Sequence, residues 1–151
     1  MNAQTTVDSS ATSTSTEALI AGLNDQLNRE ITTFLRYMLQ AAQVKGAAWE
    51  PVRDLYLSEV VDEVGHAQYL ANQIIALGGT PKLAPDLTPP PEGVGEMLRC
   101  DIDAEANDVA HYSHLAKMAG ELCLSSLMMK MEEQAADEDE HRQTMQRLLG
   151  E

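Results

Sequence analysis

Leu19, Leu23, Leu27, Ile31, Phe34 and Met38 recur every three or four residues, the spacing that lines side chains along one stripe of an α-helix. The pattern predicts a first helix over about residues 15–45. Thr14 and Glu17 stand at capping-box spacing, T-x-x-E, at its start. Gly46 interrupts it, and Trp49-Glu50-Pro51 reads as a fresh start, with Pro in a first turn where its missing N–H costs nothing. Val52, Leu55, Val60, Ala67, Leu70, Ile74 and Leu77 carry a second helix to a stop at Gly78-Gly79. Residues 80–93 hold five prolines and no helical period, which predicts a long loop. A third helix is expected over about 94–118, broken by Gly120, and a fourth over about 122–148, closed by Gly150. Residues 1–13 are polar and aperiodic and read as a disordered tail. The chain is therefore expected to be all-α, one four-helix bundle over residues 14–151.

Composition sharpens this picture. Hydrophobic residues make up 44% of the 151, but aromatics only 4%, a mixture that suits helices better than sheet. No run of 18 apolar residues exists to span a membrane, and the N-terminus lacks the basic segment and apolar stretch of a secretory signal. The net charge of −14 makes nucleic acid an unsuitable partner; such an acidic surface attracts cations or simply keeps a protein in solution. Cys100 and Cys123 have no paired spacing, which fits a reducing, cytoplasmic location.

Two tetrapeptides share one pattern, Glu63-Val64-Gly65-His66 and Glu138-Asp139-Glu140-His141. Residues three apart lie on one helix face, so each Glu and His can share a metal ion. Each Glu also has another Glu 33 residues upstream, Glu30 and Glu105. In an antiparallel hairpin, residues equally far from the turn lie level. Gly46 sits at the midpoint of the first pair and Gly120 beside that of the second. Each Glu then lies about 24 Å from its turn at 1.5 Å per residue. Two such hairpins packed together gather four Glu and two His in mid-bundle. Buried carboxylates cost several kcal/mol each unless paired, protonated or metal-bound. Mixed carboxylate and imidazole ligation suits iron or manganese, and the flanking Val60, Val61, Ala67, Met131 and Ala135 read as core.

NREITTFLRYMLQA, VVDEVGHAQY, EMLRCDIDAE and ADEDEH resemble the bacterioferritin branch of the ferritin-like superfamily, over about residues 18–148. The resemblance implies Glu30, Glu63, His66, Glu105, Glu138 and His141 as ligands of two iron ions per subunit, with Glu63 and Glu138 bridging. It implies Tyr37 beside the site; Tyr37 is seven residues from Glu30, two turns along one face. Asp62 matches an acid placed toward the inner surface. Val64 stands where haem-binding members carry Met, so no haem is expected by that route. Ser58 stands where some members have an inner-surface His. The chain ends ten residues after His141, without the short fifth helix of 24-subunit ferritins. The implied activity is a ferroxidase, passing electrons from Fe(II) to oxygen or hydrogen peroxide for iron storage or detoxification in a homo-oligomer. A peroxide-reducing, rubrerythrin-like enzyme or a manganese-containing one without storage keeps the same site; a metal-free helical assembly protein does not.

The loop speaks to topology. About 15 extended residues reach roughly 50 Å, enough to cross the bundle lengthwise, as an up-down-down-up order with a long crossover between the second and third helices requires. A simple hairpin would need only a few.

Other residues have plainer readings. His111 and His114 are turned about 120° and 180° from Glu105, at 100° per residue, and are expected on the surface. Asp108 is three residues from Glu105; the resemblance also touches rubrerythrins, whose peroxidase site uses an extra acid on this helix, and Asp108 is a shorter acid there. Tyr56, two turns from Glu63, fits either packing or the metals' surroundings. Cys100 and Cys123 fall about 30 Å apart on antiparallel helices, too far for a disulfide, and are expected to be buried free thiols. Met128, Met129 and Met131 suit core filling. Glu132, Glu133, Asp137, Asp139 and Glu140 form either an iron route or a solvated face.

Overall fold

A computed structural model describes residues 14–151, so the predicted tail at 1–13 lies outside the described residues. Four helices carry the fold: α1 Thr16–Gln43, α2 Glu50–Ala76, α3 Val94–Glu121 and α4 Ser125–Leu149, with a short 3-10 turn at Ala47–Trp49. None of them is long and apolar enough to cross a membrane. Each has 25–28 residues and so runs about 40 Å.

The helix ends explain where the sequence reading slipped. The cap of α1 is Ser15, whose Oγ accepts from the Ala18 N–H at 3.1 Å; Thr14 instead bonds Glu121. Gly78 ends α2 with a positive φ of 82°. Its N–H bonds the Ile75 carbonyl, and that of Gly79 bonds the Ile74 carbonyl, at 2.9 and 2.8 Å. This is the Schellman motif, which satisfies carbonyls left over at a C-terminus. The same pair of bonds recurs beyond α3, from Cys123 to Gly120 and from Leu124 to Ala119. Gly120 therefore lies inside α3 and does not break it. Its lack of a side chain serves packing: an added Cβ would stand 3.0 Å from Met128 Sδ in α4. The left-handed position falls on Cys123, with φ 58°.

α1 pairs with α2 and α3 with α4 as two hairpins. The crossover runs up the side of α1. Asn24 donates to the Thr80 carbonyl and accepts from the Lys82 N–H at 3.3 and 2.7 Å. One turn on, Asn28 donates to the Lys82 carbonyl and accepts from the Ala84 N–H, at 2.8 and 2.5 Å. Thr32 accepts from the Asp86 N–H at 2.8 Å. The loop thus travels in the direction of α1, from the end where α2 stops to the end where α3 starts. That makes the order up-down-down-up, as the loop length suggested.

Two apolar clusters fill the ends of the bundle. One gathers Leu19, Leu23, Leu70, Ile74, Leu115, Leu127 and Met131. The other gathers Ala41, Val44, Val52, Tyr56, Met97, Leu98 and Met145. Between them lies a buried polar belt that includes Glu30, Glu63, Glu105 and Glu138, each at most 2% exposed. Such a belt works against folding unless its charges are neutralised, and it separates what would otherwise be one continuous core. Some residues read as core are not: Val61 is 70% and Met129 64% exposed. Cys100 and Cys123 are free, as expected, but exposed rather than buried.

Candidate metal centre

Glu30 on α1, Glu63 and His66 on α2, Glu105 on α3, and Glu138 and His141 on α4 meet in the belt. Two overlapping sets of potential ligand atoms result, one of Glu30, Glu63, His66 and Glu138 and one of Glu63, Glu105, Glu138 and His141. Glu63 and Glu138 belong to both. Glu138 places Oε1 3.0 Å from His66 Nδ1 and Oε2 3.1 Å from His141 Nδ1. Glu63 places Oε2 and Oε1 each 3.5 Å from the same two nitrogens. Both carboxylates thus point one oxygen toward each half of the centre. Glu30 Oε2 lies 3.7 Å from His66 Nδ1.

The side chains around these six complete the arrangement. Tyr37 donates its hydroxyl to Glu105, so Tyr37 lies beside the site. Tyr112 does the same for Glu30. The sequence reading missed Tyr112, although the signal was present: Glu30, Tyr37, Glu63 and His66 are each repeated 75 residues on, as Glu105, Tyr112, Glu138 and His141. Gln26 and Glu59 were also missed. Gln26 Nε2 donates to Glu30 Oε1 at 2.6 Å and to Asp108 at 3.1 Å. Glu59 Oε2 lies 2.7 Å from His141 Nε2.

Several plainer expectations are resolved as well. His111 is half-buried rather than on the surface, because its Nδ1 lies 2.6 Å from Gln26 Oε1; His114 is exposed. Asp108 is buried and paired with Arg29 at 2.5 Å. Tyr56 packs against the Tyr37 ring and donates to Asp101 at 2.8 Å. Asp101 in turn pairs with Arg36 at 2.9 Å.

The electrostatics show what burying the belt costs. Burial pushes Glu63 and Glu105 well above the usual carboxylate range, with the nearby carboxylates adding to it. Burial opposes charging of His66, but its contacts with Glu138, Glu30 and Glu63 outweigh that and push it up to about 12. His141 is raised in the same way by Glu138, Glu59 and Glu63. Burial pushes Asp108 up to about 6, against the pull of Arg29. Both oxygens of Glu63, Oε1 of Glu138 and Nδ1 of His66 are buried without a hydrogen-bond partner. Each such orphan costs about 1–3 kcal/mol. Hard carboxylate oxygens and imidazole nitrogens converging without partners are the donor set of an iron or manganese ion, so these residues fit a pair of such cations. A cleft of about 710 Å³ between α2 and α4 opens onto His66 and His141, lined also by Glu59, Asp62, Asp137 and Glu140.

The ferritin-like domain model matches residues 20–151. The chain belongs to the ferritin-like family. Among solved structures it is similar to a ferritin-like diiron-carboxylate protein of Bacillus anthracis strain Ames, with 36% identity over 89% of this chain and 96% of that one, at a TM-score of 0.85. It shares its fold with Rhodobacter capsulatus bacterioferritin, at 23% identity, TM-score 0.77 and coverage of 89% and 84% of the two chains. The fold also recurs in a dodecameric thioferritin, the bacterioferritin-related protein of Bacteroides fragilis, at 24% identity, TM-score 0.79 and coverage of 91% and 88%. No curated protein matches the chain. The ferritin-like fold, close to that of bacterioferritin, agrees with the resemblance carried by the sequence stretches.

Proposed function

We propose that this ferritin-like chain is a ferroxidase, which binds Fe(II) as substrate at Glu30, Glu63, His66, Glu105, Glu138 and His141 and passes its electrons to oxygen or hydrogen peroxide. The observation that carries the reading is the sharing of Glu63 and Glu138 between the two His nitrogens. Two carboxylates that each offer one oxygen to either side hold two cations next to each other. Two adjacent Fe(II) ions supply two electrons together, enough to reduce hydrogen peroxide to two waters with two protons and no radical product. Glu30 and Glu105 serve as terminal ligands, steadied by Tyr112 and Tyr37. The acidic cleft gives Fe(II) a route inward, because clustered negative charge raises the local cation concentration. Asp62, Asp137 and Glu140 belong to that route, so part of the acidic face has a use beyond solubility.

Iron storage in a cytoplasmic homo-oligomer completes the proposal. Its support is the family and the dodecameric assembly of the Bacteroides fragilis protein. A manganese-containing enzyme would use the same donors. Asp108 gives the peroxide-reducing alternative no help, because it is committed to Arg29 and Gln26.

Anaerobic titration with Fe(II), followed by oxygen, tests the reading. Two irons per chain and rapid oxidation are expected, with oxidation lost in Glu63→Ala and Glu138→Ala. Rapid oxidation that survives both substitutions would put the chemistry elsewhere. Size-exclusion chromatography then separates a cage from a dimer, and storage from small-enzyme chemistry.

A further inference from the structure

The 75-residue repeat relates the two halves of the centre and their tyrosines, but it does not extend to every residue that supports them. Glu59 would repeat as Glu at position 134, and the chain has Gln134 there. Gln26 would repeat as Gln at position 101, and the chain has Asp101. The consequences appear on opposite sides of the metal centre.

On the histidine side, both imidazoles turn Nδ1 toward the shared carboxylates and leave Nε2 facing outward. His141 Nε2 has Glu59 Oε2 at 2.7 Å as an ion-pair contact, out of line for a hydrogen bond, and that Glu59 side chain is only 7% exposed. Among the described residues, the one acid recorded near His66 Nε2 is Asp137, with Oδ2 at 3.7 Å, and that side chain is 47% exposed. A distance of 3.7 Å is beyond hydrogen bonding, and water screens an acid so open. A buried carboxylate held against the outer nitrogen of a ligand imidazole polarises the ring by its charge and makes it a stronger donor to the metal. Only His141 has that support. Gln134, in the register position of Glu59, is buried, uncharged and without a hydrogen-bond partner for its amide.

On the carboxylate side, the imbalance runs the same way. Glu30 Oε1 accepts from both Tyr112 and Gln26. Gln26 is itself locked, with its Nε2 also bonded to Asp108 and its Oε1 2.6 Å from His111 Nδ1. Glu105 accepts from Tyr37. Each donated hydrogen draws charge from the carboxylate, so Glu30 has less to offer a cation than Glu105.

We infer that the two metal positions are unequal, and that the one bounded by Glu105 and His141 fills first and holds its ion more tightly. The inference rests on the di-metal reading proposed above. It makes Glu59 a positioning residue for the tight position and gives the Gln26–His111 pair the opposite role at the other.

Anaerobic titration of the full chain with Co(II), a redox-inert probe, followed by calorimetry and visible absorption, tests it. The native chain should bind two Co(II) in two classes whose Kd values differ by about tenfold or more. Glu59→Gln keeps the shape of the side chain and removes its charge. It should weaken the tighter class by about 10–100-fold and leave the weaker class in place. Gln134→Glu, the converse change, should draw the two classes together by strengthening the weaker one. Two equal Co(II) sites in the native chain would overturn the inference while sparing the di-metal reading. So would a Glu59→Gln effect confined to the weaker class, or a third Co(II) that Glu59→Gln removes, since Glu59 would then be a ligand itself. Absence of any Co(II) binding would overturn the di-metal reading and this inference with it.

Discussion

Replacing Glu63 by Gln is expected to stabilise the metal-free protein and to destabilise the metal-loaded one. Glu63 is 1% exposed, and both its oxygens are buried without hydrogen-bond partners. Burial, reinforced by Glu30, holds its pKa well above the ordinary value of 4.5. The folded chain therefore binds more protons at this position than the unfolded chain does. Above about pH 4.5 the native protein bears that cost, and as pH falls below 4.5 the cost disappears. A neutral amide of the same shape avoids it. Each pKa unit by which a group is raised is worth about 1.4 kcal/mol, so Glu63→Gln should gain about 1–3 kcal/mol in chelator at neutral pH. For a chain of this size that is about 3–9 °C in Tm. The gain should shrink toward zero in acid. With a divalent cation at 100 times its Kd, the native chain recovers about 2.7 kcal/mol by mass action, which the variant largely forgoes. The two melting curves should therefore exchange order between chelator and Co(II). Differential scanning calorimetry at two pH values, with and without Co(II), reads both effects. A variant less stable than the native chain in chelator at neutral pH would refute the claim that burial of the Glu63 carboxyl costs the fold stability.

Cys123→Gly should raise Tm. The left-handed conformation costs a non-glycine residue about 1–2 kcal/mol and glycine gives part of that back in chain entropy, so a net gain of about 0.5–1 kcal/mol by thermal melting is expected at this exposed position. Metal binding should release protons, because His66, pushed up to about 12, and the raised Glu63 and Glu105 hold protons that a cation must displace. Co(II) affinity should accordingly rise with pH, and its binding heat should depend on the ionisation enthalpy of the buffer. Asn28→Ala removes two bonds to the crossover, each worth about 0.5–1.5 kcal/mol net, and should speed hydrogen exchange at the Ala84 amide while leaving the α4 amides protected.

The fold and the six converging side chains were legible because they obey periodic rules. Apolar spacing located the helices, and the doubled 33-residue interval brought Glu30 level with Glu63 and Glu105 level with Glu138. Where reading failed, the decisive interaction was one that residue type and apolar spacing do not signal. Gly120 looks like a helix breaker in one dimension, and only the approach of Met128 shows that it is a packing position inside α3. Cys123 carries no turn signal, because its conformation is imposed by the bonds around it. His111 faces away from Glu105 on its own helix, but it meets Gln26 of another and reaches Glu30 through it. The Asp62 side chain, expected toward the inner surface from resemblance alone, lines the cleft between α2 and α4.

The contacts of Asn24, Asn28 and Thr32 with the crossover have a further consequence. Four residues of helix rise about 6 Å, and two residues of extended chain cover nearly the same length. The rungs on α1 therefore come at every fourth residue and those on the loop at every second, Lys82, Ala84 and Asp86. The two scales act as a gauge that meters how much chain is drawn across the bundle. Inserting one residue before Ala84 would turn the later amides away from Asn28 and Thr32, whereas inserting two would slide them by one rung and restore the match. Length changes in this segment should thus be tolerated in steps of two, and the start of α3 is set by a count taken along α1.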